Sequence, residues 1–203
     1  PVLLFFHGNG EIVADYHDLA PVYAGMGINF VPVDYRGYGR STGSPTVVGM
    51  MSDAHAIFDY VRRRMESEGY SSPLVVMGRS LGSASAMELA SSHPDRVAGL
   101  IVESGFAHTR PLLQLLGVDV DALGFDANAL AQTRKISAYA GPTLVIHASE
   151  DHIIPFSDAT DLLKASGSER KRLLRIEGAN HNNLLAVDAR SYLGAVKELM
   201  ELL

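Results

Sequence analysis

The chain has 203 residues, 17 of them basic and 23 acidic, for a formal net charge of −6. That length suits one domain built on a single large core, and an acidic chain whose longest basic run is Arg62-Arg63-Arg64 is poorly matched to a nucleic-acid partner. The sequence contains no cysteine, which excludes disulfides, zinc-thiolate sites and a cysteine nucleophile together, and it lacks the run of about 18 apolar residues that a bilayer-spanning helix needs.

The first element in chain order is "VLLFF" (2–6), a buried strand by length and composition. It runs into "HGNGE", where Gly8 and Gly10 let the main chain come close to a ligand. A helical pattern near 16–26 precedes a second strand, "INFVPVD" (28–34), although Pro32 weighs against it. A long helix is expected over 47–68, with the three arginines on its solvated face. "LVVMG" (74–78) is the next strand, and a helix over 81–92 follows it. Strands at 97–104, 143–148 and 172–178 then alternate with helices at 156–166 and 183–202. This alternation predicts an α/β protein with a mostly parallel sheet covered by helices on both faces. The strand C-termini would share one edge, where ligands bind in open sheets of this kind. Residues 105–141 break the rhythm. They are too long for a simple crossover and could hold a crossover helix preceded by a small cap, still within a single domain spanning 1–203. The leucines there (Leu112, Leu113, Leu115, Leu116 and Leu123) could line an acyl pocket or serve as ordinary core.

The chemistry concentrates at strand ends. Gly78-Arg79-Ser80-Leu81-Gly82 lies where a strand stops and a helix starts. A sharp turn there strains the serine backbone and exposes its Oγ above the sheet edge, beside the positive end of the next helix. Gly78 lets the chain turn off the strand, Gly82 lets the helix pack close behind it, and Arg79 is the least constrained residue of the five. Read alone, the stretch is also consistent with a glycine-flanked turn serine. A serine hydroxyl needs a base to take its proton. His181, in "GANHNNLL" (178–185), follows the last strand on a loop loosened by Gly178 and Ala179. The imidazole in turn needs an acid to orient it. Asp151, in "VIHASEDHIIP" (145–155), has that place, with Glu150 and Glu103 as alternatives. Singly, His181 and Asp151 read as well as a loop histidine and a turn aspartate. Their order with Ser80, each at a strand C-terminus, is the order Ser, Asp, His known for one class of hydrolase. An oxyanion would need main-chain N–H donors, for which Leu81 and Asn9 are the candidates.

Together, "FFHGNGE", "VDYRGYGRSTGSP", "GRSLGS", "VESGF", "VIHASEDHIIP" and "GANHNNL" resemble the α/β-hydrolase superfamily over nearly the whole chain. They are most similar to its single-domain esterase-like and serine-peptidase-like members with little or no cap. The resemblance implies a three-layer sandwich, with Ser80 as nucleophile, Asp151 as acid, His181 as base, and Asn9 and Leu81 as oxyanion donors. It also implies that Arg36 and Tyr38 pack and hydrogen-bond near the site, that His7 supports the oxyanion loop, and that His147 and His152 flank the acid turn. Members of the superfamily usually carry one or two strands ahead of the first strand here. Early strands are therefore apparently missing, and a bare sheet edge is expected at residue 1. The implied activity is two-step acyl transfer to water on a small-molecule ester or thioester, with no metal or organic cofactor. The alternatives are peptide or amide hydrolysis, C–C hydrolysis or perhydrolysis on the same triad, and a non-catalytic binding protein. No signal peptide is visible, so a cytoplasmic location is expected; membrane contact and oligomeric state are left open.

Overall fold

The computed structural model describes residues 1–109 and 130–203. Six strands form one sheet: β1 (Val2–Phe6), β2 (Asn29–Val33), β3 (Leu74–Arg79), β4 (Gly99–Glu103), β5 (Thr143–Ala148) and β6 (Lys171–Ile176). They lie in the order β2-β1-β3-β4-β5-β6, and every neighbouring pair is parallel. The reason is visible in the strands themselves. β1, β3, β4 and β5 are buried at every position, as strands covered on both faces must be. Successive side chains alternate between two cores. Leu4, Phe6 and Val76 face one side, with Phe58 and Met87. Leu3, Phe5, Val75 and Met77 face the other, with Tyr23 and Tyr192.

Helices complete the sandwich. On the first face lie α2 (Val47–Ser67), α3 (Ser83–Ser92), α4 (Gln132–Ser137) and α5 (Phe156–Ala165). On the second lie α1 (Leu19–Gly25), α6 (Leu184–Val187) and α7 (Ala189–Met200). The helix expected over 183–202 is thus two. The break comes at Asp188, whose Oδ1 accepts the Ser191 N–H at 3.0 Å and caps α7. Among the described residues of the 105–141 segment, α4 is a helix. Residues 110–129, with the five leucines singled out above, lie outside the described residues. Among the described residues no helix is long and apolar enough to cross a membrane.

The opening strand is not at the margin of the sheet, where it was expected: β1 lies between β2 and β3, and β2 is the outermost described strand on that side. Composition explains the difference. β1 is an unbroken apolar run, whereas β2 carries Asn29 and Pro32 and is half exposed. A proline without an N–H suits an edge strand.

This strand order also positions the site. The chain steps from β1 outward to β2, then returns past β1 to β3. The order therefore reverses between β1 and β3, the kind of point at which open α/β sheets bind ligands beyond their strand C-termini. The loop after β1 and the turn after β3 flank that point.

Candidate active site

Ser80 sits on the turn that ends β3 with φ at +50°. A serine held in this left-handed region costs about 1–3 kcal/mol, which the surrounding packing must sustain. The packing is tight. A Cβ at Gly78 would lie 2.2 Å from the Gly82 carbonyl oxygen, and one at Gly82 would lie 2.1 Å from the Phe6 carbonyl oxygen. Only glycine lets the turn fold on itself and lets α3 press against the end of β1. The Ser83 hydroxyl donates to the Ser80 carbonyl at 2.6 Å, closing the turn.

Two loops from distant parts of the chain meet this serine. Ser80 Oγ lies 3.0 Å from His181 Nε2, and His181 Nδ1 lies 2.7 Å from Asp151 Oδ2. An ionised carboxylate only accepts hydrogen bonds, so Nδ1 carries the imidazole proton and Nε2 is free to accept the Ser80 O–H. The Asp151 carboxylate is fully buried. Burial alone would raise its pKa, but the hydrogen bonds from His181 and from the Ile154 and Ile153 N–H groups outweigh burial and hold it below the usual carboxylate range. His147 backs the same turn. Its Nε2 is 2.9 Å from the Ile154 carbonyl oxygen and 3.5 Å from Asp151 Oδ2. Burial holds this imidazole below the ordinary histidine range, against the pull of both acceptors. It is therefore neutral near pH 7, donating from Nε2. His152 points outward and is exposed.

The loop after β1 is built around glycine for two different reasons. Gly10 has φ at +79°. Gly8 instead gives up its side chain to a close approach: a Cβ there would lie 2.9 Å from Glu11 Oε2 and 3.0 Å from Arg79 Nη1. The Gly8 N–H is occupied, donating to Glu11 Oε2 at 2.6 Å. Among the described residues the Asn9 N–H has no protein acceptor, and its side-chain Oδ1 accepts the Tyr38 O–H at 2.5 Å. The Leu81 N–H belongs to the first turn leading into α3, where N–H groups lack intrahelical acceptors. His7 packs against Tyr35 and Tyr38, its Nδ1 lies 2.9 Å from the Gly8 carbonyl oxygen, and its own carbonyl accepts the Tyr35 O–H. Arg36 turns away to pair with Asp53.

The two alternative acids are placed elsewhere. Glu150 is exposed at the turn after β5. Glu103 is buried and paired with Arg79. That pairing exposes what sequence reasoning missed. Arg79 is only 8% exposed and ion-pairs with both Glu11 and Glu103, so it is among the most constrained residues of its turn. Burial would strip its charge, but the two carboxylates overcompensate and raise its pKa. A signal was present: an arginine closes one apolar strand and a glutamate closes the next, and buried charges are found in pairs. A cavity of about 570 Å³ opens on the α1/α7 face, bordered by Phe5, Tyr16, Tyr192 and Arg79, and does not reach Ser80. Among the described residues no cluster of three or more His, Asp or Glu side chains is placed to hold a metal ion.

Three comparisons bear on this arrangement. The sequence model of the family described as "Serine aminopeptidase, S33" matches residues 1–123. The chain is 32% identical over 174 residues to lysophosphatidylserine lipase ABHD12 of Danio rerio, a match covering 77% of this chain and 44% of that protein. It is 29% identical over 190 residues to protein bem46 of Schizosaccharomyces pombe, covering 90% and 62%. The chain thus spans about half the length of the curated relatives it matches. Among solved structures, the monoacylglycerol lipase of Paleococcus ferrophilus superposes with a TM-score of 0.77 at 18% identity, covering 98% of this chain and 94% of that one. At that identity the likeness is one of fold.

Proposed function

The chain belongs to the serine aminopeptidase S33 family within the α/β-hydrolase superfamily, and from that premise we propose that it is a serine hydrolase cleaving carboxylic esters through an acyl-enzyme on Ser80. The observation that carries this reading is the unbroken line from Ser80 Oγ through His181 to Asp151, at 3.0 and 2.7 Å, on a serine held at positive φ.

The steps follow from the geometry. The Ser80 O–H already points its proton at His181 Nε2, so attack of Oγ on a carbonyl carbon transfers that proton to the imidazole. The imidazolium then donates from both nitrogens, and the Asp151 carboxylate stabilises the new charge without taking the proton. The carbonyl oxygen becomes an oxyanion and is met by the main-chain N–H groups of Asn9 and Leu81, neither of which has a protein acceptor among the described residues. Collapse expels the alcohol, which leaves with the proton from Nε2. Water then repeats the sequence on the acyl-enzyme, with His181 as its base. Glu11 occupies the Gly8 N–H, which removes that group as a competing donor and leaves Asn9 to serve from this loop.

The lipase names of the relatives favour an acyl ester of lipid type as substrate. The family's aminopeptidase description keeps one second reading, hydrolysis of an aminoacyl amide by the same residues. The test is turnover of p-nitrophenyl esters of increasing acyl length beside a monoacylglycerol, an acyl thioester and an aminoacyl amide. Ester turnover that disappears in Ser80→Ala is expected. Amide turnover exceeding ester turnover would favour the peptidase reading, and turnover surviving in pure Ser80→Ala would remove both.

A further inference from the structure

We propose that Arg79 is a positioning residue that holds the oxyanion loop and the base loop in register with the nucleophile. The proposal rests on the reading of Ser80 as that nucleophile. Arg79 is the residue immediately before Ser80, and its guanidinium turns to the opposite side of the sheet, beside the cavity on the α1/α7 face.

Each of its nitrogens reaches a different segment. Nη1 ion-pairs with Glu11 Oε1 at 2.5 Å, and Glu11 Oε2 accepts both the Gly8 N–H at 2.6 Å and the Tyr16 O–H at 2.5 Å. That arm reaches the main chain one residue before Asn9. Nη2 donates to the His181 carbonyl at 2.7 Å and lies 3.3 Å from Asn182 Oδ1. This second arm holds the backbone of the base itself. Nε faces Glu103 Oε1 at 3.3 Å, and Glu103 Oε2 accepts the Tyr192 O–H at 2.6 Å. The third arm anchors the guanidinium to β4 and α7. Loops joined across 68 and 102 residues of sequence are thus fixed by one planar fork.

Only arginine fits this task. A lysine is a point charge with rotatable donors and cannot hold three divergent acceptors at fixed angles. The oxyanion loop has no other charged tie to the elbow among the described residues, and the His181 carbonyl has no other protein donor there. Loosening the fork should misplace the reacting groups without altering their identity. Misplacement on the order of 1 Å costs about 10²-fold in rate.

The experiment compares wild type, Arg79→Lys and Glu11→Gln, with rates normalised to the Ser80 sites labelled by a fluorophosphonate and the fold checked by thermal melting. For p-nitrophenyl butyrate, Arg79→Lys is expected to lower kcat per labelled site about 10²-fold while KM changes less than about threefold. The downfield proton resonance of His181 Nδ1–H is expected to shift or broaden in the same variant. Glu11→Gln, which releases only the oxyanion arm, should lower kcat and leave that resonance in place. A merely structural arginine would reduce the folded fraction, which the normalisation removes. Wild-type kcat per site in folded Arg79→Lys overturns the proposal. Absence of labelling in wild type would instead remove the hydrolase reading. The His181 resonance then decides for Arg79 alone, an unchanged signal in Arg79→Lys counting against it.

Discussion

Two hydrogen-bonded networks meet at the end of β3, and they differ in kind. On one side of the turn, Ser80, His181 and Asp151 form a line of three groups with His181 in the middle. On the other side, Arg79 is the centre of a star, reaching Glu11, Glu103 and the His181 carbonyl at once. Both join loops that are far apart in sequence. A line of this kind can pass a proton between the serine and the imidazole while the carboxylate only orients and stabilises the ring. A star holds position, and its centre is the side chain least able to lose its proton. The same turn thus presents a hydroxyl to His181 from Ser80 and an anchor on the opposite side from Arg79.

The comparison can be broken most sharply at the line. Ser80→Ala is expected to lower kcat/KM for an ester by about 10⁴-fold or more, with the unfolding midpoint near that of wild type. Steady-state kinetics beside a denaturant titration checks both. The packing that lets line and star share one turn is tested by Gly82→Ala. Its new Cβ would strike a main-chain oxygen that no rotamer change can move, so a loss of about 3 kcal/mol in unfolding free energy is expected. The star is tested at its rim by Tyr192→Phe, which removes one hydrogen bond to buried Glu103. About 2 kcal/mol of stability should be lost, with kcat less affected than in Arg79→Lys.

Acid titration separates the groups further. His147 is held neutral in the fold, so below its unfolded pKa of about 6.5 the unfolded chain binds a proton that the native state refuses. Stability should fall as pH drops through that window, and His147→Gln should flatten it. Asp151 is held ionised, so its contribution is present above its unfolded pKa of about 3.9 and is lost as pH falls through its lower native value. Unfolding midpoints measured between pH 8 and 3 should therefore decline in two stages. At the far end of the scale, Arg172→Ala removes a surface pair with Glu198 and should change stability by about 0.5 kcal/mol or less.

The line was legible in the sequence and the star only in the charges that close β3 and β4, for a physical reason. Ser80, Asp151 and His181 each follow a strand whose apolar run is visible locally. Once the sheet is parallel, all strand C-termini share an edge, so proximity follows from topology. The glycines of the turn were equally legible, although Gly78 proves to be needed for close approach rather than for a special φ. The partners of Arg79 depend instead on which strands are neighbours. Glu11 and Glu103 reach it because β1 and β4 flank β3, and no local pattern encodes that order. The strand order likewise puts β2, not the opening strand, outermost on its side of the described sheet. Gly8 carries a further duty that its own neighbours in sequence do not reveal: its missing side chain makes room for the Glu11–Arg79 pair.

The central claim is that Ser80 is the nucleophile. It is tested most directly by treating the protein with a fluorophosphonate and mapping the adduct by peptide mass spectrometry. The account predicts a single adduct on the peptide carrying Ser80, absent from Ser80→Ala and strongly slowed in His181→Ala. An unreactive wild-type protein, or an adduct on another residue that persists in Ser80→Ala, would contradict it.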